Sequence, residues 1–211
     1  MNQRVSIHEW LTQARSELTA VRPEEPSSSL YAILEKHTGT SRSWLLAHQE
    51  AYLEKKPLLG MNSDLQDLKN GKPLAYLLGK WEFYGLAFFV SPAVLIPRPE
   101  TELLVETALD ILAPNQQAQW IADIGTGSGC IAITLAYIRP NIHALATDLS
   151  LAALEIANLN INQHGLAERI HLLQCDLLNG VQTHFDLICA NLPYIPSSTL
   201  QHLTELHYEP T

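Results

Sequence analysis

Three glycines alternate through Gly125-Thr126-Gly127-Ser128-Gly129, between the apolar runs Trp120 to Ile124 and Cys130 to Ile138. Glycine at this density disfavours both a continued strand and a continued helix. The chain is therefore expected to end a strand at Ile124, turn sharply and enter a helix at Cys130. The same grammar runs on either side of the turn. A helix is expected from Glu100 to Leu112, then Ile142 to Thr147, Leu151 to His164, Ile170 to Gln174 and Phe185 to Ala190 alternate strand with helix. Short apolar strands separated by helices imply parallel βαβ units with helices covering both faces of the sheet. The fold class is α/β, a Rossmann-like and mostly parallel sheet.

The N-terminal third follows a different pattern. Ile7, Trp10, Leu11, Ala14, Leu18 and Val21 recur at helical spacing, and Pro23, Pro26, Gly39, Pro57, Gly60, Gly71 and Pro73 divide the rest of this third into short helices. Ser27 to Ser29 and Thr40 to Ser43 supply N-cap candidates for the second and third. Lys80 to Tyr84 and Leu86 to Val90 are aromatic-rich runs joined through Gly85, the pattern of a β-hairpin. Three parts are expected: a helical domain over 1–79, a hairpin linker over 80–99 and an α/β domain over 100–211. Trp10, Trp44 and Trp81 are assigned to core or hairpin packing.

Hydrophobic residues make up 46% of the 211 residues and charged ones 17%, which suits a packed core rather than a disordered chain. The net charge of −9 provides no field for gathering nucleic acid, so a protein partner fits better. Cys130, Cys175 and Cys189 form no C-x-x-C pair and are expected to be reduced, as in a cytoplasmic protein. No segment has the apolar core of a signal peptide or the ~18 apolar residues of a membrane span. The histidines include no H-E-x-x-H, and His202 and His207 have no third ligand at suitable spacing, so no metal is expected.

The glycine spacing is G-x-G-x-G; a dinucleotide fingerprint would need glycine where Cys130 stands. A pyrophosphate would use the helix N-terminus. A cationic sulfonium, as in S-adenosyl-L-methionine, should instead be surrounded by acids. Asp123 ends the first strand of the α/β domain, Asp148 the second, and Asp176 follows the third with Leu177 beside it. Such carboxylates can accept hydrogen bonds from ribose hydroxyls and an adenine amino group. Each also suits ordinary turn chemistry. Gly125, Thr126, Gly127, Ser128, Gly129, Asp123, Asp148, Asp176 and Leu177, with Asn191 after the fourth strand, are thus the candidate cofactor-binding residues.

The fourth strand ends in Asn191-Leu192-Pro193-Tyr194, which resembles the Asn-Pro-Pro-Tyr motif of methyltransferases acting on planar amino groups. A planar amide nitrogen has a delocalised lone pair, so its N–H groups must be held by acceptors that aim it at the methyl carbon. The resemblance implies that the Asn191 side-chain oxygen and the Leu192 carbonyl are those acceptors, with Pro193 and Tyr194 completing the catalytic loop. Leu192 replaces the first proline, while Pro193 still biases Leu192 toward an extended backbone.

Pro73 to Gly79, Glu82-Phe83-Tyr84-Gly85-Leu86 and Leu95-Ile96-Pro97-Arg98-Pro99-Glu100-Thr101-Glu102 are similar to the linker of the release-factor glutamine methyltransferases, the HemK or PrmC family. With the glycine loop and Asn191 to Tyr194, the resemblance covers nearly the whole chain in order. It implies an S-adenosylmethionine-dependent domain that methylates the glutamine of the Gly-Gly-Gln motif in peptide-chain release factors. It also implies a helical domain that grips the release factor, and Arg98, Pro99 and Glu100 lining the wall between cofactor and glutamine. On physical grounds Pro97 and Pro99 also fix an extended linker, and Glu100 and Glu102 place acids at a helix start. The family continues past a Tyr-Glu-Pro like Tyr208-Glu209-Pro210, so the 211 residues are expected to be a fragment lacking the C-terminal strands. Such a fragment would have little activity and a Phe185 to Ala190 strand with an unpaired edge. Rival readings are an amino-methyltransferase of adenine or cytosine, a methyltransferase of a ribosomal-protein glutamine, and a non-catalytic binding module.

Overall fold

The computed structural model describes residues 4–112, 117–192 and 208–210. The chain divides into two compact units, Met1–Leu78 and Gly79–Thr211. The first contains α1 (Ile7–Val21), α2 (Ser28–Thr38), α3 (Arg42–Ala47), α4 (Lys55–Lys69) and α5 (Leu74–Leu78). A capping box starts α1: Ser6 Oγ accepts from Glu9 N, and Glu9 Oε2 accepts from Ser6 N. The apolar stripe of α1 packs on Leu30, Ile33 and Leu34 of α2 and on Met61, Leu65 and Leu68 of α4.

Two sequence breakers lie inside α4 rather than at its ends. Pro57 falls in the first turn, where no backbone N–H is needed. Gly60 lies mid-helix because the His37 ring presses against it; a Cβ there would come within 2.4 Å of that ring. His37 Nε2 in turn meets Asp64 Oδ2 at 2.8 Å. Ser41 caps α3 through Trp44 N, whereas Ser27 stands at the start of α2 with helical backbone angles and no capping bond. Trp10 is buried with its indole N–H on Asn62 Oδ1 at 2.9 Å. Trp44 departs from the packing assigned to it, being exposed and stacked on His48, while Trp81 lies in the hairpin and is 38% exposed.

The second unit opens with a hairpin of β1 (Lys80–Phe83) and β2 (Leu86–Phe89). Tyr84 and Gly85 both have positive φ, as a two-residue turn between right-twisted strands requires. Then come α6 (Pro99–Ile111), β3 (Gln119–Ile124), α7 (Cys130–Ile138), β4 (Ile142–Asp148), α8 (Leu151–Gln163), β5 (Ile170–Gln174) and β6 (Leu187–Ala190). The last four strands form a parallel sheet in the order β5-β4-β3-β6.

Among the described residues the helices cover one face of this sheet, not both as the sequence pattern suggests. Ile121, Ile142, Ala144, Ala146, Ile170 and Cys189 point into a core shared with α6, α7 and α8. On the other face Trp120, Leu173 and Ile188 are 39%, 39% and 53% exposed, and Trp120 stacks on His143 and His171. Between β5 and β6 no helix supplies such cover. Residues 175–186 cross without a helix, turning instead at Leu177 and Gly180, both with positive φ.

Asn160 ties the hairpin to the sheet. Wholly buried on α8, it accepts from Phe89 N at 2.7 Å and donates to Phe89 O at 3.0 Å and to Ser128 O at 2.8 Å. Asn160→Leu would leave three backbone groups unpartnered in the interior. It is expected to lower stability by about 3 kcal/mol in urea unfolding; a loss under about 1 kcal/mol would show that water replaces the amide.

Candidate active site

Parallel pairing brings the C-terminal ends of all four strands to one edge. Ile124 of β3 stands beside Thr147 of β4 and Ala190 of β6, and Asp148 stands beside Gln174 of β5. The glycine turn therefore lies between the turn after β4 and the residues following β6.

Side chains beneath the turn hold its shape. Thr126 donates its hydroxyl to Asp123 Oδ2 at 2.7 Å and its N–H to Thr147 O at 2.9 Å, and Ala132 N donates to the same Asp123 oxygen at 3.2 Å. Gly127 N donates to Asp148 Oδ2 at 2.9 Å, while Asp148 Oδ1 accepts from Ser150 N. Ser128 and Gly129 are buried, and a Cβ on Gly129 would meet Ile133 at 2.9 Å. A Cβ on Gly127 would meet nothing within 4 Å, so the crest of the turn is open on its outer side.

The turns ending β3 and β6 meet. At Gly125, with φ +67°, a Cβ would lie 2.8 Å from Leu192 Cδ2. Glycine is required there on two counts, the left-handed backbone and the leucine leaning over it. Asn191, one residue before, is half-buried and donates Nδ2 to Thr101 Oγ1 of α6 at 2.9 Å. Pro193 and Tyr194 lie outside the described residues.

The three acids have different surroundings. Asp123 is fully buried, facing inward under the turn, and its Oδ1 has no hydrogen-bond partner among the described residues. Burial pushes its pKa up from 3.8 to about 6; bonds from Thr126 and Ala132 oppose the rise, and the neighbouring Asp148 charge adds to it. The flanking thiols of Cys130 and Cys189 are pushed up to about 12, first by burial and then by Asp123. Asp148 is half-buried at the edge, and Asp176 is exposed. Leu177, at φ +53°, accepts a bond from Thr147 Oγ1 on its carbonyl and leaves its side chain 52% exposed, as Leu149 is 71% exposed.

Pro99 is the first residue of α6, Glu100 is exposed, and Arg98 pairs with the buried carboxylate of Glu209. Glu102 accepts from Tyr84 N at 2.9 Å, fastening α6 to the hairpin turn. Sequence reading misses Asn160 altogether and gives no hint of the contacts that Thr101 and Glu102 make. Asn160 leaves one signal, a polar residue on the stripe Leu154, Ala157, Ile161. For the contacts of Thr101 and Glu102 there is no such signal, since their partners are 90 and 18 residues away.

None of the segments 123–129, 146–151, 174–178 or 190–192 contains Lys, Arg or His. Such a donor set opposes a pyrophosphate and fits a cationic nucleoside: an open glycine crest, carboxylates at the strand ends and exposed leucines for a flat ring. Among the described residues no three His, Cys, Asp or Glu side chains group as metal ligands would, and no helix is long and apolar enough to cross a membrane. His202 and His207 lie outside the described residues.

Comparison with known proteins gives the class. Residues 99–205 match the methyltransferase small domain and residues 9–79 the PrmC N-terminal domain, which makes the chain a methyltransferase by class. Three curated relatives, all named release factor glutamine methyltransferase, narrow the class. The Chlorobaculum tepidum protein is 39% identical over 198 residues, covering 89% of this chain and 67% of the relative. The Escherichia coli K12 protein is 41% identical over 187 residues, covering 88% and 66%, and the Coxiella burnetii protein 37% over 212, covering 98% and 73%. The chain belongs to the release factor glutamine methyltransferase family, and it spans about two thirds of the length of these relatives.

The buried carboxyl makes a pH prediction. The folded chain keeps the Asp123 proton up to about pH 6, whereas an unfolded chain releases it near 3.8. Between those values the folded state binds more protons, so this group's contribution to stability is full below 3.8 and is lost as pH rises past about 6. Asp123→Asn removes the titration. In urea unfolding the variant is expected to gain on the wild type by up to about 3 kcal/mol between acid and neutral pH; parallel pH profiles for the two proteins would contradict the assignment.

Proposed function

We propose that the site transfers a methyl group from S-adenosylmethionine to the side-chain amide nitrogen of the glutamine in the Gly-Gly-Gln motif of peptide-chain release factors. The observation that carries this reading is the apposition of Gly125 and Leu192, which brings the turn after β6 beside the glycine turn. Backbone of Gly125, Thr126, Gly127, Ser128 and Gly129 would cradle the cofactor. Asp148 would accept from its ribose, and Asp176 and Leu177 would flank its adenine. Asp123 acts from below, holding the turn through Thr126 and Ala132. When bound, S-adenosylmethionine supplies an electrophilic methyl carbon on a cationic sulfur.

The rest is positioning. Asn191 Oδ1 and the Leu192 carbonyl accept from the two N–H bonds of the target amide, directing the nitrogen lone pair along the axis of transfer. Pro193 and Tyr194 are assigned to the same loop on their motif alone. No basic side chain is needed, because alkylation makes the amide nitrogen a strong acid that gives up its proton to water. Arg98, Pro99 and Glu100 form the substrate-side wall, and the helical unit, which matches the PrmC N-terminal domain, is the part that grips the release factor. The net charge of −9 favours a protein substrate over nucleic acid.

Mass spectrometry of a release factor incubated with the chain and S-adenosylmethionine is expected to find one added CH2 on the Gly-Gly-Gln glutamine. Methyl transfer to nucleic acid and none to release factor would overturn the substrate. Asn191→Ala is expected to cut turnover about 100-fold or more while cofactor binding changes less. Asp148→Ala is instead expected to weaken cofactor binding by roughly 1.5 to 3 kcal/mol in calorimetry; equal affinity would remove Asp148 from the site.

A further inference from the structure

An acceptor made from asparagine has a built-in ambiguity. The side-chain amide is nearly symmetric in shape, and rotating it by half a turn exchanges Oδ1 for Nδ2. In one orientation Asn191 offers an acceptor to an incoming NH2; in the other it offers donors to donors. Either way, the amide must first be held in place.

From the geometry we infer that Thr101 fixes where this amide lies and is a positioning residue for methyl transfer, an inference that rests on the role proposed for Asn191. Thr101 Oγ1 lies 2.9 Å from Asn191 Nδ2 and accepts its hydrogen bond, and Oδ1 takes no part in that bond. Both partners are held firmly. The backbone before Asn191 is fixed by the pairing of Ala190 with Ile124. Thr101 is 5% exposed, its N–H is bonded to Arg98 O, and Val105 one turn further along α6 is wholly buried. Pro97 and Pro99 remove backbone freedom from the approach to α6, and Glu102 pins the same turn of helix to Tyr84 N. A hydroxyl that cannot drift faces an amide that cannot drift, so losing the bond frees the amide to rotate without disturbing the backbone around it.

Chemistry separates this role from simple packing. Valine has nearly the shape of threonine without the hydroxyl, and serine keeps the hydroxyl with less bulk. Packing alone would make serine the worse substitute; orientation makes valine the worse.

The test uses Thr101→Val and Thr101→Ser in the whole 211-residue chain, with two readouts. The first is NMR of the Asn191 side-chain NH2, assigned by its absence in Asn191→Ala. Its two proton resonances are expected to move toward the positions of an exposed amide in Thr101→Val and to stay near the wild-type positions in Thr101→Ser. The second is steady-state kinetics on release factor. In Thr101→Val kcat is expected to fall about tenfold, with KM and cofactor affinity within about twofold of wild type, and Thr101→Ser is expected to recover most of the loss. Unmoved Asn191 resonances in Thr101→Val, or an unchanged kcat, would overturn the inference. A wild-type chain that methylates nucleic acid and not release factor would defeat the proposed function instead, and the amide spectrum would still decide whether Thr101 holds Asn191.

Discussion

The site depends on the parallel pairing of β3 with β6. Four registered pairs, from Ile121 with Leu187 to Ile124 with Ala190, place the glycine turn and Asn191 side by side although they are more than sixty residues apart in the chain. Strand side chains alternate between faces, so a slip of one residue would turn Cys189 out of the core and carry Asn191 away from Thr101. The register is therefore set by burial, and the site inherits its precision from the core below it.

The glycine turn is rigid for a related reason. Its outer side is open at Gly127, yet its inner side rests on Asp123, Thr126 and Asn160, all buried and all bonded to backbone. A buried carboxylate with one oxygen unpartnered among the described residues is a cost to the fold. That cost is offset in part by the two bonds that keep the turn in place. The same interior explains why Cys130 and Cys189 remain protonated and unreactive: low polarity and the Asp123 charge both disfavour a thiolate.

Much of the frame is legible in the residues. The α/β alternation, the hairpin about Gly85 and the strand, turn and helix about Gly125 to Gly129 are local patterns, and the structure has them close to the expected bounds. Other local readings meet tertiary packing that differs from them among the described residues. Pro57 and Gly60 look like breaks, but one falls where a helix tolerates proline and the other gives room to His37. Helices on both faces follow from the βα alternation; the crossover over 175–186 has none, which leaves Trp120, Leu173 and Ile188 on a bare face among the described residues.

By itself the sequence determined whatever depends on near neighbours: where backbone must bend left-handed, which segments are apolar with which period, and which carboxylates come after strand ends. Only the tertiary structure decided which of those groups face outward. It turned Asp123 beneath the turn and left Asp148 at its edge, leaned Leu192 over Gly125, and brought Thr101 to Asn191 and Asn160 to both Phe89 and Ser128. Those contacts join residues dozens of positions apart. A hydrogen bond depends on distance and direction in space, and neither is set until strands have paired and helices have packed.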